Sequence, residues 1–146
     1  MDAAEQTTVF ALLSVLFFVI SLFADDERWW LSVGCTGVLV CYWALNTILW
    51  ILRIVEDFSL ASDLLFTAAL LVLTWSTRRP WLMVLCGLFV LNLLLDGLHL
   101  AGLIDYGIWA EAGNVTFVCQ LGTASFPGLV RIARSLMGRK TSTSVG

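Results

Sequence analysis

The chain has 146 residues, of which 60% are hydrophobic and 13% charged, with a formal net charge of −3 and a mean hydropathy of +0.92. Soluble domains carry about 25% charged residues, so half that density beside such an apolar excess excludes an ordinary water-soluble globule. Two prolines and eleven glycines exclude a collagen-like or Pro/Gly-rich disordered chain.

The class that remains is an all-α, polytopic integral membrane protein, a helical bundle whose solvent is the lipid bilayer. A spanning helix takes about 20 apolar residues, at about 1.5 Å rise each, to cross about 30 Å of hydrocarbon. Five segments approach that length, so the sequence predicts about five transmembrane helices in a single domain, 1–146. They leave no room for a soluble catalytic domain.

The first segment covers residues 8–24. The acidic start MDAAEQTT lacks the basic region that opens a secretory signal peptide, so this segment reads as a retained helix. Asp25, Asp26, Glu27 and Arg28 stop it. The second segment, 29–54, ends at Glu56 and Asp57, and the third, 58–76, is closed by Thr77-Arg78-Arg79-Pro80. The fourth covers 81–104. A loop is expected over 105–113, followed by a weaker fifth span, 114–130, and a basic cytoplasmic tail, 131–146. Pro127 with Gly128 is expected to kink or end the fifth helix. Beyond it the mixture of Leu129, Ile132, Leu136 and Met137 with Arg131 and Arg134 predicts a short amphipathic helix on the inner interface. Trp29, Trp30, Trp75, Trp81 and Trp109 stand near segment ends, where interfacial aromatic belts place them.

Charge placement predicts orientation. With five spans and the N-terminus outside, Arg28, Arg78, Arg79, Arg131, Arg134, Arg139 and Lys140 fall on the cytoplasmic side, and only Arg53 falls outside. The C-terminus is then cytoplasmic. Four basic residues in a tail beside anionic lipid suit a membrane surface, and they are too few for a nucleic-acid face.

A shift of 51 residues superposes Arg28-x-Trp30-Leu31-x-Val33-x-Cys35 on Arg79-x-Trp81-Leu82-x-Val84-x-Cys86. The same shift pairs Ala61 with Ala112, Asp63 with Asn114, Phe66 with Phe117 and Leu70 with Leu121. This suggests a tandem two-helix repeat, 28–78 and 79–129, with copies in parallel topology. Leucine-rich helices also match by composition alone.

The sharpest candidate site is Asn92-x-x-x-Asp96-x-x-His99, whose spacings place three polar side chains on one face of the fourth helix. A carboxylate at a helix centre costs about 2.5–3.5 kcal/mol on insertion scales, so it should face the bundle interior and find a partner. His99 is the expected partner of Asp96. Asp63 and Asn46 are further polar residues inside apolar segments, and Thr116, Gln120 and Thr123 form a second polar stripe. These features fit a proton relay, a coupling site or a polar substrate contact, and equally an interhelical hydrogen-bond cluster that fixes packing. A lone Asp and His lack further ligands for a metal. Cys35, Cys41, Cys86 and Cys119 lie inside apolar segments without metal-ligand or disulfide spacing. Gly34, Gly37, Gly97, Gly102 and Gly122 read as small packing residues.

No nucleophile motif, phosphate loop or zinc motif stands out, so nothing favours an enzyme, and no cofactor is readable. The leading expectation is a small multi-pass protein of transport or channel type with an intramembrane Asp/His site. The alternatives are an accessory or assembly subunit of a larger membrane complex and a holin-like permeabilising protein. Five short helices enclose little space, so self-association or a membrane-protein partner is expected.

Overall fold

The structure, a computed structural model, describes residues 3–24, 29–51 and 58–142. Arg28, Arg53, Glu56 and Asp57, which enter the charge count and the segment ends, lie outside the described residues. The fold is 92% helical, with no strands among the described residues. Five helices follow one another: α1 (Ala3–Ser21), α2 (Trp29–Ile51), α3 (Phe58–Thr77), α4 (Pro80–Leu100) and α5 (Tyr106–Ser142). Between its end turns a helix satisfies its own backbone groups, as an apolar solvent demands. Four stretches are long and apolar enough to cross a membrane: Trp29–Ile48, Leu60–Thr77, Pro80–Leu100 and Tyr106–Met137. The apolar run Glu5–Ser21 of α1 is shorter.

Two turns have legible local causes. Between α3 and α4, Arg78 takes a positive φ of 52° and its N–H closes on the Thr74 carbonyl at 2.8 Å. Arg79 is extended (φ −84°, ψ 126°), as the residue before a proline must be, and Pro80 opens α4 where no N–H is needed. Between α4 and α5, Gly102 takes φ 68°. The Gly102 N–H donates to the His99 carbonyl and the Leu103 N–H to the Leu98 carbonyl, each at 2.9 Å, which is the Schellman closure of a helix. Asp105 then caps α5, its Oδ1 accepting from the Ile108 N–H at 2.9 Å.

α5 therefore begins at Tyr106, and the expected loop over 105–113 is reduced to the turn before it. Asp105, Gly107 and Gly113 read as loop residues in sequence. In the structure the first is a cap, and the two glycines are carried within a helix whose neighbours favour it. Nor does the helix end at Pro127, which lies inside it. Proline removes the backbone donor that would meet the carbonyl of Thr123; the next carbonyl, of Ala124, takes a side-chain donor, Ser32 Oγ at 2.6 Å.

The chain divides into two compact units, Met1–Val40 with Ala124–Gly146, and Cys41–Thr123. The first unit holds α1 and parts of α2 and α5. Its buried side chains are largely small and hydroxylated: Ser14, Ser21, Ser32, Thr36 and Ser125, with Leu31, Leu39 and Ala124. Thr36 Oγ1 returns to the Ser32 carbonyl at 2.8 Å and Ser21 Oγ to the Phe18 carbonyl at 2.7 Å. Small residues let helix backbones approach closely where lipid removes any hydrophobic gain from association. Gly128 makes the tightest approach, since a Cβ there would overlap the Ile20 carbonyl oxygen of α1. Gly37 meets the Phe18 ring, while a Cβ at Gly34 would meet open space.

The second unit packs α3 against α4, with parts of α2 and α5. Phe66 and Phe89 meet with ring centroids 6.0 Å apart, and Leu70, Leu82, Leu85 and Cys86 are buried with them. Tyr42 meets Phe66 edge-on at 5.3 Å, and Trp43 stacks on Phe117 at 6.2 Å. A Cβ at Gly87 or Gly97 would meet open space, so these glycines are not packing points in this unit. Large apolar side chains face outward instead, Trp75 (85% exposed) and Val72 (72%) among them. Eleven polar and eleven apolar side chains are buried among the described residues, a balance foreign to a water-soluble core.

Substitution of Gly128 by Ala should destabilise the protein by about 1–3 kcal/mol, because the neighbour it meets is backbone and cannot rotate away. Thermal unfolding in detergent checks this, with Gly97→Ala, which enters open space, expected to melt with the wild type.

Candidate functional site

The polar residues of the second unit gather around two buried carboxylates, Asp63 on α3 (3% exposed) and Asp96 on α4 (7%). Each is met by an aromatic donor from a different helix. The Tyr42 hydroxyl of α2 donates to Asp63 Oδ1 at 2.7 Å and receives a longer contact from Ser62 Oγ at 3.5 Å. Asn46, one turn along α2, is a further hydrogen-bond neighbour of the Tyr42 hydroxyl. The Trp109 indole N–H of α5 donates to Asp96 Oδ1 at 2.8 Å. The two carboxylates are close enough to interact electrostatically.

His99 lies within electrostatic range of Asp96, as its spacing suggests, but the hydrogen bond to that carboxylate comes from elsewhere. Its ring stacks on Trp109, with centroids 5.1 Å apart and planes 17° from parallel, and it meets Tyr106 edge-on at 6.2 Å. Its Nδ1 lies 3.3 Å from the Ile104 carbonyl oxygen, where it donates when Nδ1 carries the proton. The donor on Asp96 is thus the indole, and His99 backs that indole through its ring face. The physical reason is the α4–α5 turn. It folds α5 back so that the residue one turn past the Asp105 cap reaches Asp96, and imidazole and indole then stack.

Of the five residues expected at the site, Asn46, Asp63, Asp96 and His99 join this cluster, Asn46 through Tyr42 and His99 through Trp109. Asn92 is on the same face of α4 one turn from Asp96; its Oδ1 is buried without a hydrogen-bond partner, as is Asp96 Oδ2. The second polar stripe does not add to the cluster. Thr116 Oγ1 and Thr123 Oγ1 turn back on their own helix, to the Ala112 and Cys119 carbonyls at 2.8 Å each. Gln120 is buried with its Nε2 unpartnered.

Sequence reasoning missed Tyr42 and Trp109. Tyr42 had a signal, standing four residues before Asn46 on one helical face. Trp109 had none beyond its chemistry, a side chain with a single N–H that seeks an acceptor when buried. The four cysteines are free, and no group of three or more metal-ligating His, Cys, Asp or Glu occurs among the described residues. Comparisons with protein-family models, curated proteins and solved structures return no match.

Trp109→Phe keeps an aromatic ring but removes the donor to a buried carboxylate, so it should destabilise the protein by about 1–3 kcal/mol; Tyr42→Phe should do the same through Asp63. Denaturation followed by circular dichroism in detergent measures both. Wild-type stability in either variant would remove that hydrogen bond from the account of the fold.

Proposed function

We propose that this chain is a multi-pass integral membrane protein of transport or channel type whose polar site is the Asp63–Asp96 cluster. The observation that carries the reading is a pair of carboxylates, Asp63 and Asp96, buried in one helical unit and held by neutral aromatic donors. Ionisable groups inside membrane helices are expensive and typically mark ion or proton pathways. A purely structural cluster is more simply built from hydroxyls and amides, as the first unit's own Ser and Thr contacts illustrate.

The proposed arrangement has five spans, with the N-terminus outside and the C-terminus in the cytoplasm. The helix α5 supports the position of the tail. Its 37 residues extend about 55 Å, well beyond about 30 Å of hydrocarbon. Counted from Tyr106, about 30 Å of hydrocarbon is used up near Phe126, one to two turns before the basic residues begin at Arg131. The sides assigned to Arg28, Arg78, Arg79 and the tail follow from α2 to α5 alone, and α1 decides only where the N-terminus lies. We also propose that α2–α3 and α4–α5 are tandem copies. α2 and α4 start 51 residues apart, at Trp29 and Pro80, and the paired leucines Leu31 with Leu82 and Leu70 with Leu121 are all buried.

Purified protein in liposomes should carry protons or sodium ions under a potassium–valinomycin potential. Asp96→Asn should reduce that flux to the level of protein-free vesicles while remaining folded and inserted. Unchanged flux in Asp96→Asn, or none in the wild type for either ion, overturns the transport reading. Topology has its own test, in which single cysteines are introduced into a cysteine-free variant and probed with an impermeant maleimide. Leu103→Cys should label in intact cells and Arg134→Cys only after permeabilisation. Glu5→Cys should label from outside if α1 crosses, and from inside if it does not.

A further inference from the structure

Donor and acceptor chemistry on α4 goes a step beyond the cluster as a polar site. Asp96 receives one donor, the Trp109 indole, which occupies Oδ1. Asp96 Oδ2 and Asn92 Oδ1 are both buried and both lack a hydrogen-bond partner. Their residues stand four apart on α4, one helical turn along a single face. Buried acceptors without donors are rare, and two on one face of α4 share the same deficit, which a cation or a proton-bearing group placed against them would answer.

We propose that Asn92 Oδ1 and Asp96 Oδ2 bind a compact monovalent cation, sodium or a proton. The proposal rests on the reading of the cluster as an ion site and names its occupant. Charge favours a cation over a neutral water. Asp63 adds a second carboxylate within electrostatic range, the hydrogen-bond donors to both carboxylates, Tyr42 and Trp109, are neutral, and His99 is a basic side chain within electrostatic range of Asp96. No lysine or arginine meets either carboxylate among the described residues.

The donor set also selects among cations. Calcium takes six to eight oxygens and magnesium a rigid octahedron that retains water, and this face offers far fewer ligands. Softer metals seek imidazole or thiolate. The ring of His99 is committed to Trp109 and the Ile104 carbonyl. The titratable groups around the site are Tyr42 from α2, Asp63 from α3, and His99 from α4 with Tyr106 beside it; α5 presents the neutral indole of Trp109.

Equilibrium binding of radioactive sodium to the whole protein in detergent tests this without any need for flux. Choline holds the ionic strength constant, and the titration is run at several pH values. Thermal stability is followed in parallel. The expected result is either a single saturable sodium site per chain, or a sodium-independent rise in thermal stability as pH falls; the first identifies sodium and the second a proton. In Asn92→Leu, which preserves side-chain size, sodium affinity should fall about tenfold or the pH-dependent gain should disappear. Asn92→Asp, which retains an oxygen ligand, should keep the effect. Wild type and Asn92→Leu behaving alike in both titrations overturns the proposal. Binding without transport would retain this site and remove the transport reading, whereas transport indifferent to Asn92→Leu would do the reverse.

Discussion

A carboxylate enclosed by apolar helices must be met by a donor from a neighbouring helix, and in this chain that demand falls on Asp63 and Asp96. Each is answered by an aromatic side chain, Tyr42 from α2 and Trp109 from α5. The α3–α4 hairpin carries the two acids, and the flanking helices carry the donors. Much of the local chain serves that geometry. Gly102 in its positive-φ conformation ends α4, and Asp105 caps α5 three residues later. This short reversal brings Trp109 back to Asp96 with His99 stacked behind it. A longer loop would leave the indole without a defined reach.

The two units solve helix association with different chemistry. In the first, close approach is permitted by what is missing from Gly128, and hydroxyls from Ser32 and Thr36 turn to backbone carbonyls. In the second, aromatic rings fill the contacts around Phe66, Phe89 and Phe117, and the buried polar groups include two carboxylates, Asp63 and Asp96. Both are compatible with an apolar solvent. Where lipid is as hydrophobic as leucine, burying leucine gains little, so packing and hydrogen bonds must discriminate inside from outside. The outward position of Trp75 and Val72 beside the inward position of Asp63 and Gln120 expresses that rule.

Hydropathy made the helices legible, because a run of twenty apolar residues has one stable conformation in lipid whatever its partners. The start of α5 was not legible. Asp105, Gly107 and Gly113 are loop residues by propensity, yet the Asp105 cap and the continuity of the ladder override them. The tail is another case, since Pro127 ordinarily signals an end and here is carried through. At the site, the face shared by Asn92, Asp96 and His99 could be read from spacing. The partner of Asp96 could not, because i, i+3 spacing establishes a common face and says nothing of what another helix brings to it. Asp63 and Asn46 were visible as polar residues in apolar runs. Their meeting through Tyr42 depends on the register between α2 and α3, which no local pattern records.

The division of labour between acids and donors has a consequence for any movement in this unit. Asp63 and Asp96 sit on one hairpin, but their donors arrive on α2 and α5. Withdrawing α5 from α4 removes the indole from Asp96, and withdrawing α2 removes the hydroxyl from Asp63. Either step leaves a carboxylate oxygen bare in an apolar setting, where a proton, a cation or water must take the donor's place. Occupancy of the acids and position of the flanking helices are therefore thermodynamically linked, since whatever binds the uncovered oxygens favours the displaced arrangement by its difference in affinity for the two. A hydroxyl-only cluster would carry a much weaker linkage, because a freed hydroxyl turns back to its own helix, as Thr67 does toward the Asp63 carbonyl at 2.7 Å. A carboxylate has no hydrogen to donate in that way. This distinction separates the cluster in the second unit from the hydroxyl contacts in the first, and it ties the unusual choice of acids to a possible use rather than to packing alone.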